Sequence, residues 1–256
     1  MRILSISSQV AWGPVGNTAA VPALQAKGHE VLSLPTITLS NHPGHGKPAG
    51  FRTAPEDLGK ILDALESHGV LAGLDAALAG YFASPEQVEV VAKVLARVQP
   101  RHVLVDPVIG DEAGLYVPQA VADAIRAHLL PLATCITPNR FELEWLSGIP
   151  VTDEANAIAA ARRTGVSEVL ATSIPAGAGQ LSTLLVTATD HHAIVTPKLD
   201  HVPHGTGDFL SGLYLAERVN TTPQAALGAA MAILTRAIAR SAGTSVLDVA
   251  GALHSS

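Results

Sequence analysis

The chain has 256 residues, 48% of them hydrophobic and 15% charged, with a net charge of −6. That balance can bury a large core and excludes a disordered or tail-like protein. The lysines (Lys27, Lys47, Lys60, Lys93 and Lys198) are scattered, so no basic stripe exists to neutralise a phosphate backbone, which excludes nucleic acid as a partner.

From the start, residues 2–6 (RILSI) predict a buried strand, 15–28 a helix ending at Gly28, and 30–34 (EVLSL) a second strand. A helix follows over 55–68 with Pro55 at its head, then a strand at 75–79 and a helix at 85–98. The strand 101–105 runs straight into Asp106-Pro107. Next come a helix over 118–128, a strand at 133–136 and helices over 139–147 and 153–164. Strand 168–172 precedes two β-rich runs, 181–188 and 191–196, joined at Asp190 as a hairpin. Helices over 207–219 and 223–240 close the chain, the second with Thr222 as N-cap and Pro223 at its first position. The single Cys135 forms no intrachain disulfide, as expected in a reducing cytoplasm, and neither a leader-like nor a membrane-spanning apolar run stands out.

Strands alternating with helices predict an α/β fold: three α-β-α layers around a central, mainly parallel sheet with right-handed crossovers. No repeat or linker marks a boundary, so residues 1–256 read as one domain. Residues 35–53 hold three prolines and three glycines. They are long for a plain connection and read as a flap over a substrate.

In such a sheet ligands gather beyond the carboxyl ends of the strands. The polar residues there are Ser7 and Ser8, Gly80 and Tyr81, Asp106, and Thr137-Pro138-Asn139. The loop His204-Gly205-Thr206-Gly207-Asp208 opens a helix, where amide groups and the positive helix end suit an anion such as a phosphate. Asp208 either caps that helix or accepts a proton from a substrate hydroxyl. Asn139 and Glu142, three apart, either form a capping box or face the rim and hold the water shell of a Mg²⁺ ion. Asp106 is either a turn residue or a second acid near the same ion. No P-loop pattern occurs, and Gly13-Pro14-Val15-Gly16 lacks dinucleotide-binding spacing. His42, His45, His191, His192 and His204 show no metal-ligand spacing and read as solvated or locally hydrogen-bonded.

Several segments in order resemble the ribokinase-like superfamily and, within it, the pyridoxal kinases: SISSQVAWGPVGNTA at 5–19, TITLSNHPGHG at 36–46 and Gly80-Tyr81. DPVIGD at 106–111, GLYVP at 114–118, TPNRFE at 137–142 and HGTGDFLSG at 204–212 continue the match. The Gly-rich segment expected near the start of a hydroxymethylpyrimidine kinase is absent. The resemblance implies a ribokinase-like fold and ATP-dependent phosphorylation of the 5′-hydroxymethyl group of pyridoxal, and of pyridoxine and pyridoxamine. It makes Asp208 the base and Gly205, Thr206 and Gly207 the anion hole. Ser8, Ile37, Pro43, Gly44 and Tyr81 are then the substrate residues. Asp106, Thr137, Asn139, Glu142, Thr172, Val202, Pro203, Thr206 and Gly207 serve ATP, with Asp106 and Glu142 on Mg²⁺ through water. It also implies a monovalent cation such as K⁺, and a cytoplasmic homodimer. This chain departs from the family at Pro43, where Thr is usual, and at His45, where Tyr is common, and also at Gln9 and Trp12. It is shorter than usual around 196–204. Two other readings are a kinase for a different hydroxymethyl heterocycle or a sugar, and a non-catalytic nucleotide or vitamer sensor. The intact Asp208 speaks against the sensor.

Overall fold

The central strands of this chain are apolar on both faces, and the computed structural model, which describes residues 1–254, buries both. The chain runs β1 (Arg2–Trp12), α1 (Asn17–Ala26), β2 (Glu30–Asn41), β3 (Gly50–Arg52), α2 (Pro55–Ser67), β4 (Ala76–Ala79), α3 (Pro85–Val98) and β5 (His102–Val105). It continues with β6 (Gly110–Asp111), β7 (Gly114–Leu115), α4 (Gln119–Ala124), β8 (Cys135–Ile136), α5 (Arg140–Ser147) and α6 (Glu154–Arg163). The last elements are β9 (Glu168–Pro175), β10 (Gln180–Thr187), β11 (His191–Pro197), α7 (Thr206–Arg218), α8 (Pro223–Arg240) and α9 (Val249–His254).

Among the described residues one sheet has the order β11-β10-β9-β8-β5-β4-β1-β2-β3. The pairs from β2 through β9 are parallel; β3, β10 and β11 add antiparallel edges. Successive residues of a strand point to opposite faces. Leu4, Ala77, Val103 and Ile136 therefore pack toward α2–α6, while Ile3, Ala76, Leu104 and Cys135 pack with residues of α1, α7, α8 and α9. This is the three-layer α/β architecture that the alternating pattern implied.

Three local departures have physical causes. β1 and β2 run well past the expected strand ends and stay paired out to Trp12 opposite Asn41, after a register shift between Ser7 and Gln9. Thr36, Ile37 and Thr38, all β-branched, favour that extension. The first part of the 35–53 segment is therefore strand; it turns through a short 3₁₀ helix, Pro43–His45, and returns as β3. The expected helix over 118–128 stops at Ala124 and becomes a π segment, Ile125–Leu129, and a 3₁₀ turn, Leu130–Leu132. Pro131 has no amide to continue an α-helix and disfavours helical geometry before it. The hairpin β6–β7 and the helix α9 carry too little periodicity to be read from sequence.

Candidate active site

The site forms where the direction of winding reverses. β1 lies between β2 and β4, both parallel to it, so the chain leaves β1 on one side and returns on the other. A crevice opens at the strand ends of such a switch. Ser7 Oγ spans it, accepting from the Tyr81 amide at 3.1 Å, and Thr36 Oγ1 donates to the Tyr81 carbonyl at 2.7 Å. Buried Gln87, from the first turn of α3, ties the base of the β2–β3 segment down. Its Nε2 donates to the carbonyls of Thr36 at 2.8 Å and Thr53 at 2.6 Å, while its Oε1 accepts from the Ala83 amide.

A cavity of about 540 Å³ occupies this crevice, a size suited to a small ligand. Of the residues expected at the site, Ser8, Ile37, Pro43, Tyr81, Asp106, Thr137, Asn139, Glu142, Thr172, Gly205, Gly207 and Asp208 line it. Gly44, Thr206, Val202 and Pro203 lie outside its lining. Gly44 instead packs against the His204 ring, and Thr206 is the first residue of α7. Pro203 is buried and Val202 is exposed.

The loop before α7 is shaped by Gly205. Its φ of 93° suits glycine, and a Cβ there would collide with the Pro14 carbonyl. No side chain caps α7, so its leading end is open toward the cavity, and a Cβ on Gly207 would meet only empty space. Uncapped amides at a helix start favour an anion.

Four acidic residues line the cavity, Asp106, Asp111, Glu142 and Asp208, and no Lys or Arg lines it with them. Burial first, then the Asp208 charge, pushes the Asp106 carboxyl up to about 7, against hydrogen bonds from Ser211 and Thr137. Burial raises Asp208 to about 6, although the amides of Gly16 and of Asp208 itself favour its charged form. Ser211 Oγ donates to Asp106 Oδ2 at 3.1 Å and shares a 2.8 Å bond with Thr137 Oγ1. Glu142 makes the capping box: it accepts from the Asn139 amide at 2.9 Å, and Asn139 Oδ1 accepts from its amide at 3.0 Å. Glu142 also accepts from the amide of Ile109 at 3.1 Å. Burial, followed by the Asp106 charge, holds its carboxyl well above the usual range. The capping role and a place at the rim thus coexist in one residue. Thr172 is brought beside Asn139 by a backbone bond from its amide to the Pro138 carbonyl at 2.9 Å.

Sequence reasoning missed Val10, Val15, Leu39, Val108, Asp111, Tyr116, His42 and His204 as lining residues. His42 and His204 stack with ring centroids 4.1 Å apart, and His45 lies edge-on to both. Trp12 covers His45 at 4.8 Å. Burial, then the charges of His204 and His45, lowers His42 to about 4, and His204 is lowered in the same direction. Ser211 was missed although it lies one turn after Asp208 on the same helix face, a legible signal.

A family model described as phosphomethylpyrimidine kinase matches residues 27–253. A pyridoxal kinase of Leifsonia xyli is 40% identical over 86% of this chain and 82% of its own. A pyridoxine/pyridoxal/pyridoxamine kinase of Bordetella bronchiseptica is 35% identical, covering 98% of this chain and 94% of the relative. Among solved structures, pyridoxal kinase from Leishmania donovani in complex with ADP and pyridoxine superposes with a TM-score of 0.93 at 31% identity. It covers 98% of this chain and 94% of the other.

Proposed function

The chain belongs to the phosphomethylpyrimidine kinase family and, within it, to the pyridoxal kinases, and on that premise we propose that it transfers the γ-phosphoryl group of ATP to the 5′-hydroxymethyl group of pyridoxal, pyridoxine and pyridoxamine. The observation that carries the assignment of roles is the uncapped start of α7 beside the raised carboxylate of Asp208. The heterocycle lies against Ser8, Ile37, Pro43 and Tyr81, next to Gly44, with Val10 and Leu39 completing an apolar wall. Its hydroxymethyl group points at Asp208. Asp208 accepts the hydroxyl proton as the oxygen forms its bond to phosphorus and the bond from phosphorus to the β–γ bridging oxygen breaks, releasing ADP. The amides of Gly205, Thr206 and Gly207 hold the charge that spreads over the γ-phosphoryl oxygens, so positioning and neutralisation do most of the work.

Among the described residues no three His, Cys, Asp or Glu side chains gather as a direct metal cage, so a divalent ion here would be held through water and the phosphates of ATP. Four carboxylates without a cationic side chain along the lining repel a polyphosphate unless a cation accompanies it. Glu142 already spends its oxygens on backbone amides, so contact through water suits it better than direct ligation. Mg²⁺ bound here would neutralise the phosphates of ATP. Asp106 and Glu142 would hold its water shell, Thr137, Asn139 and Thr172 would flank the phosphates, and Val202 and Pro203 would approach the adenine. A monovalent cation such as K⁺ is the second ion this family reading carries. The chain then works as one kinase domain over residues 1–256, with 35–53 as the flap over the alcohol, in a cytoplasmic homodimer. Buried Cys135 fits a reducing compartment, and among the described residues no helix is long and apolar enough to cross a membrane.

A second reading, another hydroxymethyl heterocycle as acceptor, is favoured by Pro43, which puts no hydroxyl and no amide donor on the cavity wall. Release of ADP with each B6 vitamer, hydroxymethylpyrimidine and ribose separates the two. Turnover of the vitamers is expected; brisk turnover of another alcohol with none of any vitamer would sink the first reading.

A further inference from the structure

Two parts of the cavity wall that are far apart in sequence meet through imidazole rings. On one side is the turn 42–46, which carries Pro43 into the cavity; on the other is the loop that leads into α7. The His42 and His204 rings stack 4.1 Å apart at 35°. His45 stands edge-on to His204 at 5.7 Å and 84°, and Trp12 backs His45. The fit is close enough that a Cβ on Gly44 would collide with the His204 ring. Each side also has its own anchor. The His42 Nδ1 accepts from the Gly44 amide at 3.1 Å, and Asn41 Nδ2 donates to the carbonyls of His42 and Gly46 at 3.0 Å each. His204 pairs its backbone with Val246, in the connection between α8 and α9, and directly precedes Gly205 at its positive φ.

We propose that His204 is a positioning residue: stacked on His42, it holds the turn 42–46 against the phosphate-cradle loop, so that the end of the cavity that receives the alcohol is assembled before the alcohol arrives. The proposal rests on the kinase reading above. The alcohol meets Pro43 and His42 directly, whereas ATP meets the far side of the cradle. Losing the stack therefore loosens the alcohol site and leaves the nucleotide site in place. Ring pairing of this kind is worth up to about a tenfold change in affinity. The stack is the active element rather than a ring nitrogen, so an aromatic ring of similar size serves at position 204.

The test uses the full chain and four variants: His204→Ala, His204→Phe, His42→Asn, and His42→Asn with His204→Ala. Asparagine at 42 keeps an acceptor for the Gly44 amide, so this variant reads the stack independently should His204→Ala fail to fold. Steady-state kinetics with both substrates is combined with calorimetric binding of pyridoxine in the absence of ATP. His204→Ala is expected to weaken pyridoxine binding and raise its KM by about tenfold, with the KM for ATP changed by less than about twofold. His204→Phe restores wild-type values, His42→Asn behaves like His204→Ala, and the double variant is no worse than either single one. Unchanged pyridoxine affinity in His204→Ala, a Phe variant as poor as the Ala variant, or single effects that multiply in the double variant would each overturn the proposal. If the wild-type chain phosphorylates a different alcohol, the substrate reading falls while the same comparison, made with that alcohol, still decides the stack.

Discussion

At the residue scale the proposed chemistry turns on two acids, buried Asp106 and half-buried Asp208, that disfavour each other's charge. Asp208 at about 6 and Asp106 at about 7 both lie above the ordinary aspartate value. Asp208 must be unprotonated to accept a proton, so kcat/KM should fall as pH drops through the range 6–7 and level off above it. A pH–rate profile flat down to pH 5 would contradict this. The same shifts carry a stability consequence of definite sign. A carboxyl whose folded pKa is raised favours the folded state while protonated, at low pH, and loses that contribution as pH rises through its folded pKa. Asp106→Asn should therefore raise Tm at pH 8, by a gain on the order of 1–3 kcal/mol, and hardly at pH 4. The Asn carbonyl still accepts from Ser211, so the hydroxyl bridge survives. Thermal melts at the two pH values check it, and an equal change at both would remove the charge argument. Asp208 and Asp106 were legible because each follows directly from a strand or opens a helix. The link between them through Ser211 and Thr137 was not, since it depends on α7 lying over the end of β8.

At the scale of elements, the start of α7 does what a phosphate cradle requires: a sharp glycine turn, no cap, and open space at the second glycine. This separates two glycines that look alike in sequence. Gly207→Ala fits the fold, since its methyl meets no protein atom and alanine suits a helix better by about 0.5–1 kcal/mol. Yet on the proposed mechanism that methyl would enter the space of the transferred phosphoryl group, so kcat should fall by about two orders of magnitude with Tm unchanged or higher. Gly205→Ala, at a φ of 93° and against the Pro14 carbonyl, should instead lose stability. Parallel melts and rate assays distinguish the two. The β2–β3 segment makes a similar point. Its length and composition were read as a flap over a substrate; its first part is strand because β-branched residues extend β2, and Gln87 fastens its base with bonds that no local pattern announces. Gln87→Ala should raise the KM for the alcohol more than that for ATP, which initial-rate kinetics with each substrate varied in turn would show.

At the scale of the whole molecule, the order of strands does what no single motif can. The segments that carry Ser8, Tyr81, Asp106, Thr137 and Asp208 (strand β1, three strand-end loops and the start of α7) are spread over most of the chain, and the reversal of winding at β1 brings them to one crevice. The alternation of apolar strands and Ala-rich helices made the three layers readable, because both faces of each central strand had to be covered. What stayed hidden were contacts between segments distant in sequence. The histidine stack is the clearest case: His42 and His204 were each read as solvated or locally hydrogen-bonded, and His204 is indeed exposed while His42 Nδ1 accepts from the Gly44 amide, but only the approach of their two segments stacks the rings. The central claim is that this crevice phosphorylates a B6 alcohol with Asp208 as the base. The most direct test is ³¹P NMR of the product formed from ATP and pyridoxal by the wild-type chain and by Asp208→Asn. A 5′-phosphate monoester from the wild-type chain is expected, with formation slowed by at least about a thousandfold in the variant and ATP still bound. No such ester, or equal rates from both proteins, would contradict it.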